Sequence, residues 1–363
     1  MPPSYLMKDL TVEITRKCPM KCTICSSEGG ARDPAELTLA ELRKITDEAK
    51  ELGTAVISLS GGEPLECPHV IDYIRYVKQT GLKLHLYTCG NLISGNQIQA
   101  IPSETFAVLK SLSVDKIIFS IHGPTAEIHE KITSRAGSFE NLITSIKRAQ
   151  ESGHIVELHF VPVLQNFESL PAICKLAEEL GVRQLSVLRF VPQGRGAKNR
   201  KDLEITGDAI QKLEGILKHI YEKSSVQLRF GSPFNCFNID NRSKCSAGID
   251  KAILRPDGFL FPCVSLKRIV VEDEEINIRN SSLKEIWSDS RLFTLIRSFH
   301  EAIENGNCRQ CVYFHTCGGG CLTHRMIDSD DLRKGKDPYC QKVPPQKNSY
   351  PEKKMGGLIV DAI

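Results

Sequence analysis

Residues Cys18-Pro19-Met20-Lys21-Cys22-Thr23-Ile24-Cys25 place three thiols on one short stretch, directly after the apolar, β-branched run at residues 10–15. Such a run reads as a strand, so the cysteines sit on the loop that leaves it. A short loop can bring thiolates onto one face of an iron–sulfur cubane, and three ligands leave one iron open to an outside group. A zinc site lacking its fourth ligand, or three unrelated thiols, would present the same triplet.

The pattern repeats downstream of that strand. Further candidate strands lie at residues 55–60, 83–87, 116–120, 156–161 and 184–190, separated by amphipathic helical stretches at 39–51, 70–79, 104–111, 138–151 and 168–180. Gly53, Gly81, Gly153 and Gly181 follow four of those helices as C-terminal caps. Six strands alternating with helices predict an α/β fold of parallel βα units, as an open doubly wound sheet or a barrel. A Gly-, Arg- and Lys-rich loop at 193–202 leads to a sixth helix near 207–223. Beyond Gly231 the texture turns to short turns and cysteines, with a helix near 282–299. The expected organisation is a core at 8–230, a cysteine-rich unit at 231–343 and a loose tail at 344–363.

Composition narrows the function classes. The 47 basic and 44 acidic residues nearly balance, and no basic stripe marks a nucleic-acid surface. No apolar run approaches the ~20 residues that span a bilayer, and the first eight residues lack the apolar core of a secretory signal. A cytoplasmic protein is expected, with neither nucleic acid nor membrane as partner. In a reducing compartment, fourteen cysteines point to metal binding or catalysis rather than disulfides. Eleven of them fall in two fields, Cys18–Cys25 and Cys236–Cys340, leaving Cys67, Cys89 and Cys174 scattered.

Gly61-Gly62-Glu63-Pro64 follows the second strand. Glycines there let a ligand approach the backbone, and Pro64 fixes the exit of the turn. Together, C-x3-C-x2-C after the first strand and GGEP after the second resemble the radical S-adenosylmethionine (SAM) superfamily, with Ile24 where that family usually has an aromatic residue. The resemblance implies a partial (βα)6 barrel and a 4Fe-4S cluster on Cys18, Cys22 and Cys25. Its open iron would chelate SAM, which on reduction yields a 5′-deoxyadenosyl radical. It implies SAM contacts from Gly61, Gly62, Glu63 and Pro64, from Thr88 and Asn91 at the third strand, and from Ser120 and His122 at the fourth. Arg135 would pair with the SAM carboxylate, which suits a bidentate guanidinium. All of these sit at strand C-termini, where parallel α/β folds place their sites. Cys89, beside that pocket, is a candidate catalytic thiol. Cys174, in a helix, reads as a packed small hydrophobe, and Cys67 follows the GGEP turn.

The second field, Cys245-x12-Gly258-x4-Cys263 followed by Cys308-x2-Cys311-x5-Cys317-x3-Cys321 and Cys340, resembles the SPASM extension of radical SAM enzymes. That resemblance implies two auxiliary 4Fe-4S clusters. One would take Cys245, Cys263 and Cys321, with Cys236 as its fourth ligand; the other would take Cys308, Cys311, Cys317 and Cys340. If Cys236 does not bind, the first cluster keeps an open iron. Zinc knuckles are the alternative reading of the C-x2-C spacing.

Enzymes of this kind often modify peptides or protein side chains, by crosslinking, oxidation or epimerisation, and the resemblance implies the same here. Val264 stands where sulfatase-maturing relatives carry Asp, which argues against that branch. The first strand begins near residue 10, so a leader-binding domain is not expected and a precursor peptide would need a separate recognition protein. A flavodoxin- or ferredoxin-type reductant is the other implied partner. The alternatives are a dehydrogenase, decarboxylase or related enzyme acting on a sugar, alcohol or tetrapyrrole, and a non-catalytic zinc-bound scaffold.

Overall fold

The apolar runs become the strands of one largely parallel sheet, against which the helices between them pack. A computed structural model describes residues 5–30, 35–239, 244–268, 272–328 and 335–341; the expected tail at 344–363 lies outside the described residues. The strands are β1 (Asp9–Glu13), β2 (Val56–Ser60), β3 (Lys83–Thr88), β4 (Asn91–Ser94), β5 (Gln97–Ala100), β6 (Lys116–Ile121), β7 (Val156–Phe160), β8 (Gln184–Val187), β9 (Gln227–Phe230), β10 (Lys251–Leu254) and β11 (Leu260–Phe261). Nine of them form one sheet in the order β11-β10-β1-β2-β3-β6-β7-β8-β9. Its six expected strands, β1, β2, β3, β6, β7 and β8, run parallel in sequence order, as a partial (βα)6 barrel requires. All five residues of β7 are buried, the pattern of a strand covered on both sides.

Local sequence sets the helix ends. Thr38 caps Leu39–Glu51 through a reciprocal box with Glu41: the Glu41 N–H donates to Thr38 Oγ1 at 3.2 Å, and the Thr38 N–H donates to Glu41 Oε2 at 2.7 Å. Gly53, Gly81, Gly153 and Gly181 follow their helices with φ between 63° and 86°, the left-handed turn that a side chain would resist. The helix expected near 282–299 is two helices, Leu283–Asp289 and Arg291–Glu304. Ser290 breaks the run because its hydroxyl accepts from the Phe293 N–H and starts the second helix.

Several elements were not anticipated. The helix Ala126–Thr133 follows β6. β4 and β5 form an antiparallel hairpin with Ser94 opposite Gln97, so Gly95-Asn96 is its two-residue turn. β9 extends the sheet beyond β8, and β10 pairs parallel with β1 at the opposite flank, Leu10 facing Ala252. The cysteine-rich segment after residue 230 therefore contributes two strands, β10 and β11, to the barrel sheet. Among the described residues, no helix is long and apolar enough to cross a membrane.

Candidate active site and cysteine groups

The loop leaving β1 is held in place at several points. The Gly62 N–H donates to the Thr15 carbonyl at 2.7 Å, and the Glu63 N–H to the Lys17 carbonyl at 2.7 Å. The Thr23 N–H reaches the Ile132 carbonyl at 2.8 Å. Arg195 donates from Nε to the Cys22 carbonyl (2.9 Å) and from Nη1 to the Gly29 carbonyl (2.8 Å). Lys198 pairs with Glu28 at 2.7 Å, and Asn199 Nδ2 donates to the Thr23 carbonyl at 3.1 Å. The basic loop after β8 thus clamps the three-cysteine loop, a role its composition alone did not announce. Ser27, Glu13 and Lys267 add a buried knot at the far end. Ser27 Oγ donates to Glu13 at 2.6 Å, while Lys267 donates to Ser27 at 2.7 Å and pairs with Glu13.

Cys18, Cys22 and Cys25 come together on this loop. Burial, then the neighbouring charges of Cys25 and Cys18, push the Cys22 thiol well up. Three crowded thiols of that kind favour a cation that binds thiolates and relieves their repulsion, so the donor set fits an iron–sulfur cluster.

The GGEP turn lies against the same loop because it lacks side chains. A Cβ on Gly61 would stand 2.4 Å from the Thr15 carbonyl oxygen, and one on Gly62 would stand 2.0 Å from that of Lys17. Glu63 is fully buried. Its carboxylate accepts from Thr88 Oγ1 (2.9 Å), the Cys89 N–H (2.8 Å) and the Leu65 N–H (3.2 Å). Burial outweighs those donors and raises its pKa to about 7. A hydrogen bond with Cys18, with burial second, pushes the Cys89 thiol well up.

Glu63, Thr88 and Cys89 are therefore joined to the cysteine loop. Asn91, expected to end the third strand, instead opens the β4–β5 hairpin. Its Nδ2 donates to the carbonyls of Cys89 (2.9 Å) and Ser138 (3.1 Å), and its buried Oδ1 has no hydrogen-bond partner. Ser120 and His122 lie at the C-terminal end of β6. Burial lowers the His122 pKa to about 4, and its Nδ1 is likewise without a partner. Arg135 donates to the Asn96 carbonyl at the hairpin turn, at 3.2 Å. Among the described residues, no hydrogen bond ties Ser120, His122 or Arg135 to the cysteine loop.

The second field divides into two groups. Cys245 has Cys263 and Lys251 as charged neighbours, and Cys321 has Arg189, Asp337 and Cys245. Burial raises the Cys245 thiol and pushes Cys321 up to about 12. Cys308, Cys311, Cys317 and Cys340 line one cavity together with Cys236 and Asp337. Cys236, expected beside Cys245, Cys263 and Cys321, thus has Cys317 and Cys340 as its nearby thiols. The cause is local packing: Asn235 Nδ2 donates to the Thr316 carbonyl at 3.1 Å, which seats the turn Ser232–Phe237 against the helix Phe314–Cys317. Cys174 is buried, as expected of a packed thiol, and so is Cys67.

Comparison with known proteins agrees with this geometry. The model of the radical SAM superfamily matches residues 12–179, and that of the SPASM iron–sulfur cluster-binding domain matches residues 245–312. The AdoMet-dependent heme synthase of Methanosarcina barkeri is 28% identical over 359 residues, covering 92% of this chain and 96% of that protein. The PqqA peptide cyclase of Gluconobacter oxydans is 26% identical over 338 residues, covering 92% and 90%. In fold, the chain resembles Streptococcus suis SuiB, solved bound to S-adenosylmethionine and also to the precursor peptide SuiA. The TM-score is 0.73 at 18% identity for both, over 93% of this chain and 78% and 76% of those chains. With Cys18, Cys22 and Cys25 inside the first matched domain, Cys245, Cys263, Cys308 and Cys311 inside the second, and the parallel strands of the barrel around the site, the chain belongs to the radical SAM superfamily, as an enzyme with a C-terminal SPASM domain whose cofactors are SAM and 4Fe-4S clusters.

Proposed function

We propose that this enzyme modifies a peptide or protein side chain by crosslinking, oxidation or epimerisation. The similarity to PqqA peptide cyclase over nine-tenths of both chains carries that reading. When bound, SAM and its cluster supply a 5′-deoxyadenosyl radical that removes a substrate hydrogen; the protein's part is to bind, orient and shield. Cys18, Cys22 and Cys25 hold the SAM cluster. Gly61, Gly62, Glu63 and Pro64 seat SAM, with Thr88, Asn91, Ser120, His122 and Arg135 around it and Cys89 as a candidate catalytic thiol. Cys245, Cys263 and Cys321 hold a first auxiliary cluster. Cys308, Cys311, Cys317 and Cys340 hold a second, against which Cys236 packs. In this reading residues 8–230 form the radical SAM core and 231–343 the SPASM domain. The enzyme works in the cytoplasm with a flavodoxin- or ferredoxin-type reductant, and a separate protein presents the precursor peptide.

A second reading, a small-molecule enzyme acting on a tetrapyrrole, draws on the similarity to heme synthase. Mass spectrometry separates the two. Anaerobically reconstituted enzyme is incubated with SAM and reductant, and with either candidate precursor peptides or a porphyrin carboxylate. A peptide that loses two hydrogens, or gains one dalton in heavy water, supports the first reading. A porphyrin that loses carbon dioxide while every peptide stays unchanged overturns it.

A further inference from the structure

Arg325 follows Cys321 by four residues, on the helix Leu322–Asp328, and its side chain is fully buried. Nη1 donates to Cys308 Sγ at 3.1 Å and to the Gly319 carbonyl at 3.1 Å, and Nη2 donates to the Gly335 carbonyl at 2.6 Å. The two carbonyls come from the segments that lead into Cys321 and Cys340, so the guanidinium is aimed at the second cysteine group from a fixed seat. The sulfurs of the first group are met differently. Cys263 Sγ receives the Ser265 backbone N–H at 3.5 Å, and Cys245 and Cys321 are approached by backbone N–H groups.

We propose that Arg325 sets the reduction potential of the second auxiliary cluster, raising it through the hydrogen bond to Cys308. Adding an electron increases the negative charge on a cluster and its ligand sulfurs, so a donor to one of those sulfurs stabilises the reduced form more than the oxidised form. Burial strengthens the effect because water does not screen it. Arginine is suited to the task, since its donors persist at every working pH. A second cluster made easier to reduce is a better acceptor for the electron that an oxidised substrate leaves behind. The inference rests on the reading of Cys308 as a cluster ligand.

The test is a redox titration, followed by electron paramagnetic resonance, on full-length reconstituted enzyme and its Arg325→Gln and Arg325→Lys variants, with iron counted in each. The second cluster is the signal that Cys308→Ala removes. The expected result is unchanged iron and a lower midpoint for that signal. Reduction becomes about tenfold less favourable in Arg325→Gln, equivalent to about 59 mV for one electron. The shift is smaller in Arg325→Lys, and the other clusters do not move. A wild-type midpoint in a variant that keeps its iron overturns the proposal. So does loss of the second cluster from both variants, which would make Arg325 a structural residue. If Cys308→Ala leaves iron and signals unchanged, the ligand reading itself fails, independently of Arg325.

Discussion

Arg189, two residues past the end of β8, donates from Nη1 to both carboxylate oxygens of Asp337, at 2.6 and 2.7 Å, with the two side chains 0% and 1% exposed. The pair joins the barrel to the last described cysteine segment. Asp337 also accepts the N–H groups of Cys321 (2.6 Å) and Tyr339 (2.8 Å), so one carboxylate serves both auxiliary groups. Arg189 in turn meets His324 Nδ1 at 2.6 Å and lies 3.7 Å from the centre of the Tyr339 ring. Removing one partner of such a buried pair strands the other charge, which costs about 3–5 kcal/mol. Arg189→Met should lose that much in urea unfolding, whereas Arg189→Met with Asp337→Leu should recover part of it. A single variant within 1 kcal/mol of wild type would refute this account.

Cys236 gives a sharper test of how the thiols are shared. Five cysteines line the cavity of the second group and three form the first group, and four suffice for a cubane. Cys236→Ala should therefore keep about twelve irons, the content of three four-iron clusters. A fall to about eight would make Cys236 a necessary ligand, as the resemblance to the SPASM extension implies for the first cluster.

The GGEP turn should tolerate no side chain at its second position. A Cβ on Gly62 would sit 2.0 Å from the Lys17 carbonyl oxygen and 2.8 Å from that of Arg16, both backbone atoms on the cysteine loop. Gly62→Ala should displace that loop, cost ~1–3 kcal/mol as overpacking does, and lower SAM cleavage at least about tenfold, a barrier increase of ~1.4 kcal/mol. Gly215, inside the helix Asp208–Lys223 with open space beside it, is the control. Gly215→Ala should be neutral or stabilising by about 0.5–1 kcal/mol, with SAM cleavage intact.

What could be read from the sequence was what is local in the chain. The six parallel strands and most helices follow from apolar periodicity, and the candidate cluster cysteines from short spacings that resemble those of the family. The missed strands had weak local signals: β9 carries two exposed residues among four, and β10 is a four-residue run set in turn-rich, cysteine-rich surroundings. Cys236 is nine residues from Cys245, yet its neighbours are set by a turn docking on a helix some eighty residues onward. Arg189 and Asp337 are 148 residues apart, and no periodicity connects them. The role of Arg195 over the cysteine loop was hidden for the same reason, since Gln193–Asn199 only meets residues 22–29 once the barrel has folded.

Acid should destabilise the barrel through its buried histidines, and His159 on β7 is the clearest case. It is 8% exposed and packs edge-on to Tyr87, with ring centres 5.1 Å apart. Burial, then the charges of Arg229 and Lys116, lower its pKa to about 3. An unfolded histidine takes up its proton near pH 6.5, so below that pH the unfolded chain binds a proton that the folded chain refuses. The stability His159 contributes is complete above pH 6.5 and is lost as pH falls toward 3, by about 1.4 kcal/mol per pH unit. His122 and His129 act in the same direction, while Glu63, whose pKa is raised, opposes them between its ordinary range and about 7. The comparison of wild type with His159→Gln isolates one residue from this sum. Urea unfolding at several pH values between 4.5 and 7 should give the variant a shallower loss of stability toward acid, by close to one proton. Parallel curves for the two proteins would mean that His159 can be protonated in place, and that the barrel interior at β7 admits a charge.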